Sequence, residues 1–331
     1  MRYLTYLVPV LMLTAIGMLV DWGGFLALFR GGRPEDYLIA TASYGLVILL
    51  RGMRFAVLLS GRIGGGTPWL AGIHTASIGT FGNHVLPMRM GEIVFIVLPR
   101  VTRTAPLERA AAALLVARLC DVLCVLALGM VGLALLGIGL PVWAYGLLAA
   151  LWLACAAAVL LLPWAAGLAR AGLAWAEQGF GRRAGRRLAA AGPVLARFQA
   201  AAALMRRPGP VAFALAASLA VWVALAAHFF YLLRAFGIPA TPPQVLVGMT
   251  VPQFVQMLPI HTVGNLGTYE AGWTAGFVFA GLPVEQAAAS ALASHLFDIV
   301  LSGVLALASW AAVGRQVRLA LAERQRHGAG D

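Results

Sequence analysis

The sequence has no lysine and few charged residues of any kind. Only 11% of its 331 residues are charged and 61% are hydrophobic, whereas a soluble domain carries about 25% charged residues. All 24 basic side chains other than histidine are arginine, and the formal net charge is +12. This composition excludes a soluble globular domain. Because basic residues collect in the cytoplasmic loops of membrane proteins, we expect no nucleic-acid partner despite the positive charge.

The sequence also lacks the motifs of several common enzyme classes. It contains no HExxH, GxSxG or P-loop motif. Its three cysteines lie inside apolar runs, where cysteine packs as a small hydrophobic residue: Cys120, Cys124 and Cys155. We therefore expect no metal, no cofactor and no enzymatic activity.

Several apolar runs are long enough to cross a bilayer. A helix needs about 20 apolar residues to span roughly 30 Å of hydrocarbon. Six runs approach or exceed this length, at residues 3–20, 37–59, 109–136, 142–162, 210–233 and 286–313. The sequence therefore predicts an all-α polytopic membrane protein with six transmembrane helices in a single membrane domain. The first run is expected to be retained, since no cleavage site of small residues follows it.

Two further apolar regions are interrupted near their middle. Residues 69–99 and 244–281 contain proline, glycine and polar side chains that divide each region into pieces shorter than a span or barely as long. Broken helices at membrane depth need protein or a polar cavity to satisfy their freed backbone groups. We predict two re-entrant helical hairpins. Two pairs of short complete spans are the alternative, and both interpretations give the same sidedness.

The arginines are distributed unevenly between the predicted loops. With the N-terminus in the cytoplasm, Arg30, Arg33 and Arg234 fall on the opposite side, and most others fall on the cytoplasmic side, including Arg51 and Arg54. This bias follows the positive-inside rule and predicts a multi-pass protein of the cell inner membrane with both termini cytoplasmic. The basic segment 165–207 is expected to lie on anionic lipid headgroups.

The chain contains a weak internal repeat. Residues 108–123 (ERAAAALLVARLCDVL) align without a gap to residues 285–300 (EQAAASALASHLFDIV). Each copy follows an interrupted region, but the two copies are predicted to cross the membrane in opposite directions. Units of opposite orientation with interrupted helices in matching positions are typical of transporters whose site lies near the membrane midplane. We therefore predict an inverted repeat of residues 37–136 and 210–313.

Polar side chains gather in the interrupted and repeated regions. An arginine at membrane depth costs about 2.5 to 3.5 kcal/mol on insertion scales, so its presence there indicates a use. The candidate substrate-binding residues of the hairpins are Asn83, Arg89, Glu92, His261, Asn265 and Glu270. The candidate residues of the repeated helices are Arg118 with Asp121 and His295 with Asp298. The members of each pair are three residues apart, as Arg89 and Glu92 are, and this spacing favours pairing on one face of a helix. Each pair is either a structural ion pair or a contact for a substrate group, and the residues alone leave both readings open.

The hairpin motifs resemble those of the lysylphosphatidylglycerol synthase transmembrane, or flippase-like, family. In the first hairpin the family pattern of Asn followed by Pro-x-Arg-x-Gly-Glu matches Asn83, Pro87, Arg89, Gly91 and Glu92. In the second, the pattern of Pro followed by Gly-x-Gly-x-x-Glu matches Pro259, Gly264, Gly267 and Glu270, with Gly-x-x-Gly in place of Gly-x-Gly. The resemblance extends over residues 51–313.

The resemblance implies lipid translocation, because the best-known family members flip aminoacylated phosphatidylglycerol and others act in hopanoid or polyprenyl-linked glycan pathways. Full-length synthases carry a soluble transferase domain after the membrane part, so we expect no lipid aminoacylation from this chain. The predicted function is a lipid flippase, or a transporter of a lipid-linked intermediate with an anionic or polar headgroup, in which Arg89 holds the headgroup during alternating access. The alternatives are a non-transporting accessory subunit of a glycolipid or hopanoid pathway and an intramembrane enzyme. The lipid and the choice between monomer and homodimer are left open.

The predicted sidedness can be tested by cysteine labelling. In a background without the native cysteines, single cysteines introduced beside the loop arginines should react from one side of the membrane. Positions near Arg62, Arg103 and Arg187 should be labelled from the cytoplasm, and those near Arg33 and Arg234 from the opposite side. Labelling of position 103 from outside would contradict the inverted repeat.

Overall fold

The computed structural model describes residues 30–64, 67–179, 207–257 and 263–328, together with single positions between 192 and 203. All regular secondary structure in these residues is helical, which confirms the predicted all-α class. The predicted first span at 3–20, His261 and most of the basic segment 165–207 lie outside the described residues.

The helices follow the predicted order of spans and interrupted regions. In chain order they are α1 (Pro34–Ser60), α2 (Trp69–Val85), α3 (Gly91–Val101), α4 (Leu107–Leu136), α5 (Val142–Gly179), α6 (Pro208–Ala235), α7 (Pro242–Gly248), α8 (Thr250–Met257), α9 (Thr268–Phe279) and α10 (Val284–Gly328). Proline occupies the first turn of α1, α6 and α7, where its fixed φ and missing N–H suit a helix start. Left-handed glycines, Gly61 and Gly137, end α1 and α4.

Four stretches of the described helices are long and apolar enough to cross a membrane: α1, α4, α6 and the part Val284–Gly314 of α10. They correspond to four of the six predicted spans. α5 begins at Val142, as predicted for another span, but it continues without a break to Gly179. At about 1.5 Å per residue it is longer than the hydrocarbon layer is thick, so it extends into the basic segment. The count of six spans stays a prediction.

The first interrupted region forms an antiparallel pair of helices, α2 and α3. A short turn at Pro87–Arg89 joins them, and Arg89 in this turn has a left-handed φ of 55°. The two helices approach closely, since a Cβ added to Gly91 would lie 2.3 Å from the carbonyl oxygen of Gly79. Packing within the hairpin therefore explains why the motif has glycine at this position.

The second interrupted region forms a matching arrangement. α7 and α8, separated by Met249 alone, pack antiparallel to α9, and a Cβ added to Gly276 would lie 2.3 Å from the carbonyl oxygen of Gly248. Before α9, Gly267 has a left-handed φ of 85° and its amide donates to Glu270 Oε2 at 2.6 Å. Both interrupted regions are thus helical hairpins, and their re-entrant placement in a bilayer stays a prediction.

The segments 37–136 and 210–313 pack against each other reciprocally. α1 and α6 lie antiparallel, because Asp36 at the start of α1 meets Arg234 at the end of α6, whereas Arg54 donates to Ser218. α4 of the first segment packs on α7 of the second, and α10 of the second packs on α2 of the first. Each last long helix therefore covers the hairpin of the other segment. The repeat boundaries themselves stay a prediction.

Alanine at the hairpin glycines should destabilise the protein. Gly91→Ala and Gly276→Ala each place a Cβ against a backbone carbonyl oxygen, and overpacking of this kind costs about 1 to 3 kcal/mol. Gly45→Ala in α1 is the matched control, because a Cβ there meets nothing within 4 Å and alanine favours a helix. Thermal unfolding of the purified variants in detergent measures the difference. Equal unfolding temperatures for Gly45→Ala and Gly91→Ala would contradict the hairpin packing.

Candidate functional site

A polar cavity lies where the two hairpins meet the long helices. Its walls come from both segments, with contributions from α1, α2, α4, α6, α8 and the starts or middles of α3, α9 and α10. Four arginines, two aspartates and one histidine line the cavity: Arg51, Arg54, Arg89, Arg118, Asp121, Asp298 and His84. Tyr44 and Tyr269 also line the cavity.

Hydrogen bonds join the tips of the two hairpins at this cavity. Asn265 donates through Nδ2 to the carbonyl oxygen of Asn83 at 2.8 Å. Arg89 donates through Nη1 to the carbonyl oxygen of Gln256 at 3.0 Å. Both Arg89 and Asn265 have a φ of 55°, which is uncommon for residues other than glycine. Such a conformation persists when the surrounding contacts hold it, so the tips are held in place by bonds across the two segments.

Asp121 of α4 is the centre of a buried ion-pair network. Both of its carboxylate oxygens accept from Arg54 of α1, and Trp222 Nε1 donates to Oδ1 at 3.2 Å. Arg118 approaches Oδ2 at 3.5 Å, which confirms the predicted pair of Arg118 with Asp121. Asp121 is 3% exposed, so these donors take the place of water around its charge.

Glu92 extends the network from α4 to the first hairpin. Its Oε1 lies 3.2 Å from Arg89 Nε, which confirms the predicted pair, and 3.0 Å from Arg118 Nε. Two carboxylates, those of Glu92 and Asp121, are thus shared by Arg54, Arg89 and Arg118. The first segment therefore has more positive than negative charge at the cavity.

The second segment has contacts of the same form, with histidine in place of arginine. His228 Nε2 lies 2.8 Å from Asp298 Oδ1, and His295 Nδ1 lies 2.7 Å from Glu270 Oε1. The predicted pair of His295 with Asp298 is therefore wrong. Although these residues are one helical turn apart, each has a partner on a neighbouring helix, which is α9 for His295 and α6 for Asp298.

The ion pairs of the two segments correspond to each other. In each segment a base on the first long helix meets the aspartate of the last long helix, and a base on the last long helix meets the glutamate that follows the hairpin turn. The first segment uses arginine at both positions, and the second uses histidine. Arginine is always charged and offers five N–H donors, whereas histidine offers at most two, so the permanent positive charge and most donors of the site lie in the first segment.

The predicted site residues that the structure describes converge on this region. The cavity lining includes Asn83, Arg89, Arg118, Asp121 and Asp298. Beside the cavity are the ion-paired residues Glu92, Glu270 and His295, and Asn265 joins the hairpin tips. His261 is outside the described residues, so its predicted role stays a prediction.

Four basic residues of the site were missed as site residues, and one of them is His84, which lines the cavity from α2. Arg51 and Arg54 were assigned to the cytoplasmic arginines, but both lie inside α1, and Arg54 is 4% exposed and paired with Asp121. His228 lies in α6 and is fully buried. For Arg51, Arg54 and His228 the available signal was a position inside the apolar runs 37–59 and 210–233, because a basic residue within a span needs a partner. The remaining loop arginines keep the predicted charge bias.

The fold and the site define a helical membrane protein with a buried, arginine-rich cavity. The family described as Lysylphosphatidylglycerol synthase TM region matches residues 6–306, and the chain belongs to this family. The match confirms the resemblance seen in the hairpin motifs and extends it toward the N-terminus. Comparisons with curated proteins and with solved structures gave no match.

Neutralising the two aspartates should have unequal costs. Asp121→Asn leaves Arg54 buried without its carboxylate, and breaking a buried pair in this way costs about 3 to 5 kcal/mol. Asp298→Asn leaves His228, which can lose its proton and remain a hydrogen-bonding group, so the destabilisation should be smaller. Thermal unfolding in detergent at about pH 8 measures both, where free histidine is neutral. Equal losses of stability for Asp121→Asn and Asp298→Asn would contradict the assigned partners.

Proposed function

We propose that the protein is a lipid flippase, or a transporter of a lipid-linked intermediate, that moves an anionic or polar headgroup across the cell inner membrane. The main observation that supports this proposal is a cavity lined by four arginines, which lies among helices that are apolar and long enough to span a bilayer. Membership of the lysylphosphatidylglycerol synthase TM family supports a lipid-related role. The substrate is a membrane lipid, and the basic segment 165–207 contacts anionic headgroups on the cytoplasmic face.

The charge balance of the cavity favours an anionic group as its ligand. Each arginine at membrane depth costs about 2.5 to 3.5 kcal/mol on insertion scales. A purely structural role would be met by fully compensated pairs. The first segment instead places four arginines at the cavity with two carboxylates to share, those of Asp121 and Glu92. A headgroup that brings negative charge would stabilise this arrangement.

Alternating access between the two segments is the mechanism that we propose. Across the cavity the hairpin tips are joined by the bonds of Asn265 to Asn83 and of Arg89 to Gln256. A relative movement of the segments would break these bonds and open the cavity to one side, and their reciprocal packing supports a second state open to the other. Arginine side chains then take the place of water around the headgroup as it crosses.

Two alternative functions, an accessory subunit and an intramembrane enzyme, can be distinguished from a flippase by experiment. A non-transporting accessory subunit of a glycolipid or hopanoid pathway would bind lipid without moving it. An intramembrane enzyme would form a product without translocation. In neither case should the purified protein alone transfer an unmodified lipid between leaflets.

Translocation can be measured with the purified chain in liposomes. A fluorescent phospholipid placed in both leaflets is protected on the inside from a membrane-impermeant quencher. The proposed activity should expose this protected fraction with time, whereas protein-free liposomes should keep it. Unchanged protection with folded, inserted protein would contradict transport and leave the accessory subunit and the intramembrane enzyme.

Arg89→Gln should fold and insert normally but lose most of the translocation. In this variant Glu92 keeps Arg118 as a partner at 3.0 Å, so no buried carboxylate is left unpaired. Loss of a charged donor to an anion costs about 1.5 to 3 kcal/mol, which corresponds to a slowing of about tenfold or more. Arg89→Lys should recover part of the rate, because it keeps the charge without the two-point contact.

Two further variants control the Arg89 experiment. Arg62→Gln removes an exposed arginine just beyond α1 and should leave translocation unchanged. The double variant Arg89→Gln with Glu92→Gln removes both members of the pair and should remain inactive. Full translocation by the folded double variant, normalised to the amount of inserted protein, would show that Arg89 has a structural role and does not hold the headgroup.

A further inference from the structure

Arg51 differs from the other arginines of the cavity because it has no ionic partner in the part of the chain that the structure describes. It lies on α1, one helical turn before Arg54, and lines the cavity. Its Nε, like those of Arg54 and Arg118, is buried without a hydrogen-bond partner among the described residues. Unlike those two arginines, Arg51 is in none of the ion pairs that the described residues form. Arg54, Arg89 and Arg118 each pair with a carboxylate.

The Asp121 carboxylate acts on Arg51 electrostatically but has no acceptor position left for it. A carboxylate offers about four acceptor positions. Oδ1 of Asp121 accepts from Arg54 and Trp222, and Oδ2 accepts from Arg54 and is approached by Arg118. The guanidinium groups of Arg54 and Arg118 also act on Arg51, and they repel it. The surroundings of Arg51 therefore favour an additional anion.

Phosphate is the anion whose chemistry fits this position. A buried charge is normally paired or bound to a ligand, and arginine cannot neutralise itself by losing a proton. The planar fork of a guanidinium donates two parallel hydrogen bonds to two phosphate oxygens. Arg89 already bonds to Glu92 and to the carbonyl oxygen of Gln256, so it can share the headgroup only through its remaining N–H groups.

We propose that Arg51 binds the phosphate group of the lipid headgroup inside the cavity, an inference that rests on the proposed function for the lipid as its source. Arg89 then acts at the hairpin tip, where the two segments separate, and Arg51 holds the phosphate against the wall formed by α1. The same chemistry would accept a free phosphate, so the two sources must be distinguished by experiment.

Ligand-dependent thermal stability of the full chain in detergent tests this assignment without any need for transport. The probes are phosphatidylglycerol, which is a net anion, phosphatidylcholine, whose phosphate is balanced by a cation, and free glycerol phosphate. Phosphatidylglycerol should raise the unfolding temperature more than phosphatidylcholine does. In Arg51→Gln this difference should disappear, with binding of phosphatidylglycerol weakened by about tenfold or more.

The behaviour without ligand separates a binding role from a structural one. Arg51→Gln removes an unpaired charge, so without lipid it should be at least as stable as the unmodified protein. Arg54→Gln is the contrast, because it removes the partner of Asp121 and should lower stability. Arg62→Gln, beyond the end of the same helix, is the control for loss of one exposed positive charge. Lower lipid-free stability of Arg51→Gln would overturn the assignment.

Arg51→Lys tests the phosphate contact independently of Arg51→Gln. It retains the charge and should bind phosphatidylglycerol several-fold more weakly, because it lacks the planar fork. Undiminished stabilisation by phosphatidylglycerol in whichever variant folds would overturn the assignment. Glycerol phosphate could stabilise the protein as well as phosphatidylglycerol does and lose this effect in Arg51→Gln. That result would keep Arg51 as a phosphate site, with a free phosphate rather than a lipid as its ligand.

Transport and binding can fail separately in these measurements. Absence of translocation together with Arg51-dependent stabilisation by phosphatidylglycerol would remove the flippase function and keep the binding site. Translocation with stabilisation that does not depend on Arg51 would keep the function and remove this residue from it.

Discussion

The buried pair of Arg54 and Asp121 is the interaction on which the first half of the site depends. It joins α1 to α4, and because Ser218 and Trp222 of α6 also bond to this pair, three long helices converge on one carboxylate. Such a pair contributes little net stability compared with an apolar contact, but it is costly to break. Its main consequence is electrostatic: since Asp121 is committed to these donors, Arg51 is left with its charge facing the cavity.

The two segments form ion pairs at equivalent positions but with different chemistry. In the second segment, histidine takes the positions that arginine has in the first, and the carboxylates remain. A guanidinium presents a permanent charge and a planar pair of donors to an anion, whereas an imidazole has at most one donor on each ring nitrogen. In the proposed mechanism it is therefore the first segment that binds the headgroup.

The motif residues of the hairpins have two separate physical roles. Gly91 is needed because α2 and α3 approach to a distance that excludes a Cβ, and Gly267 provides a left-handed turn from which α9 can begin. Arg89 and Glu92 supply charge, and Arg89 also bonds to the opposite hairpin. Residues that shape the turn and residues that carry the charge are therefore adjacent in sequence, so the shape of each hairpin sets where its charges lie.

Local patterns were sufficient to predict the helical class, the two interrupted hairpins and the pair of Arg118 with Asp121. Hydropathy, the positions of proline and glycine, and a spacing of three residues all act within a few helical turns, so they can be read along the chain. The partner of His295 and the isolation of Arg51 were not predictable in this way. They depend on which helices pack side by side, because a buried carboxylate binds the donors that surround it in space, whatever their separation in sequence.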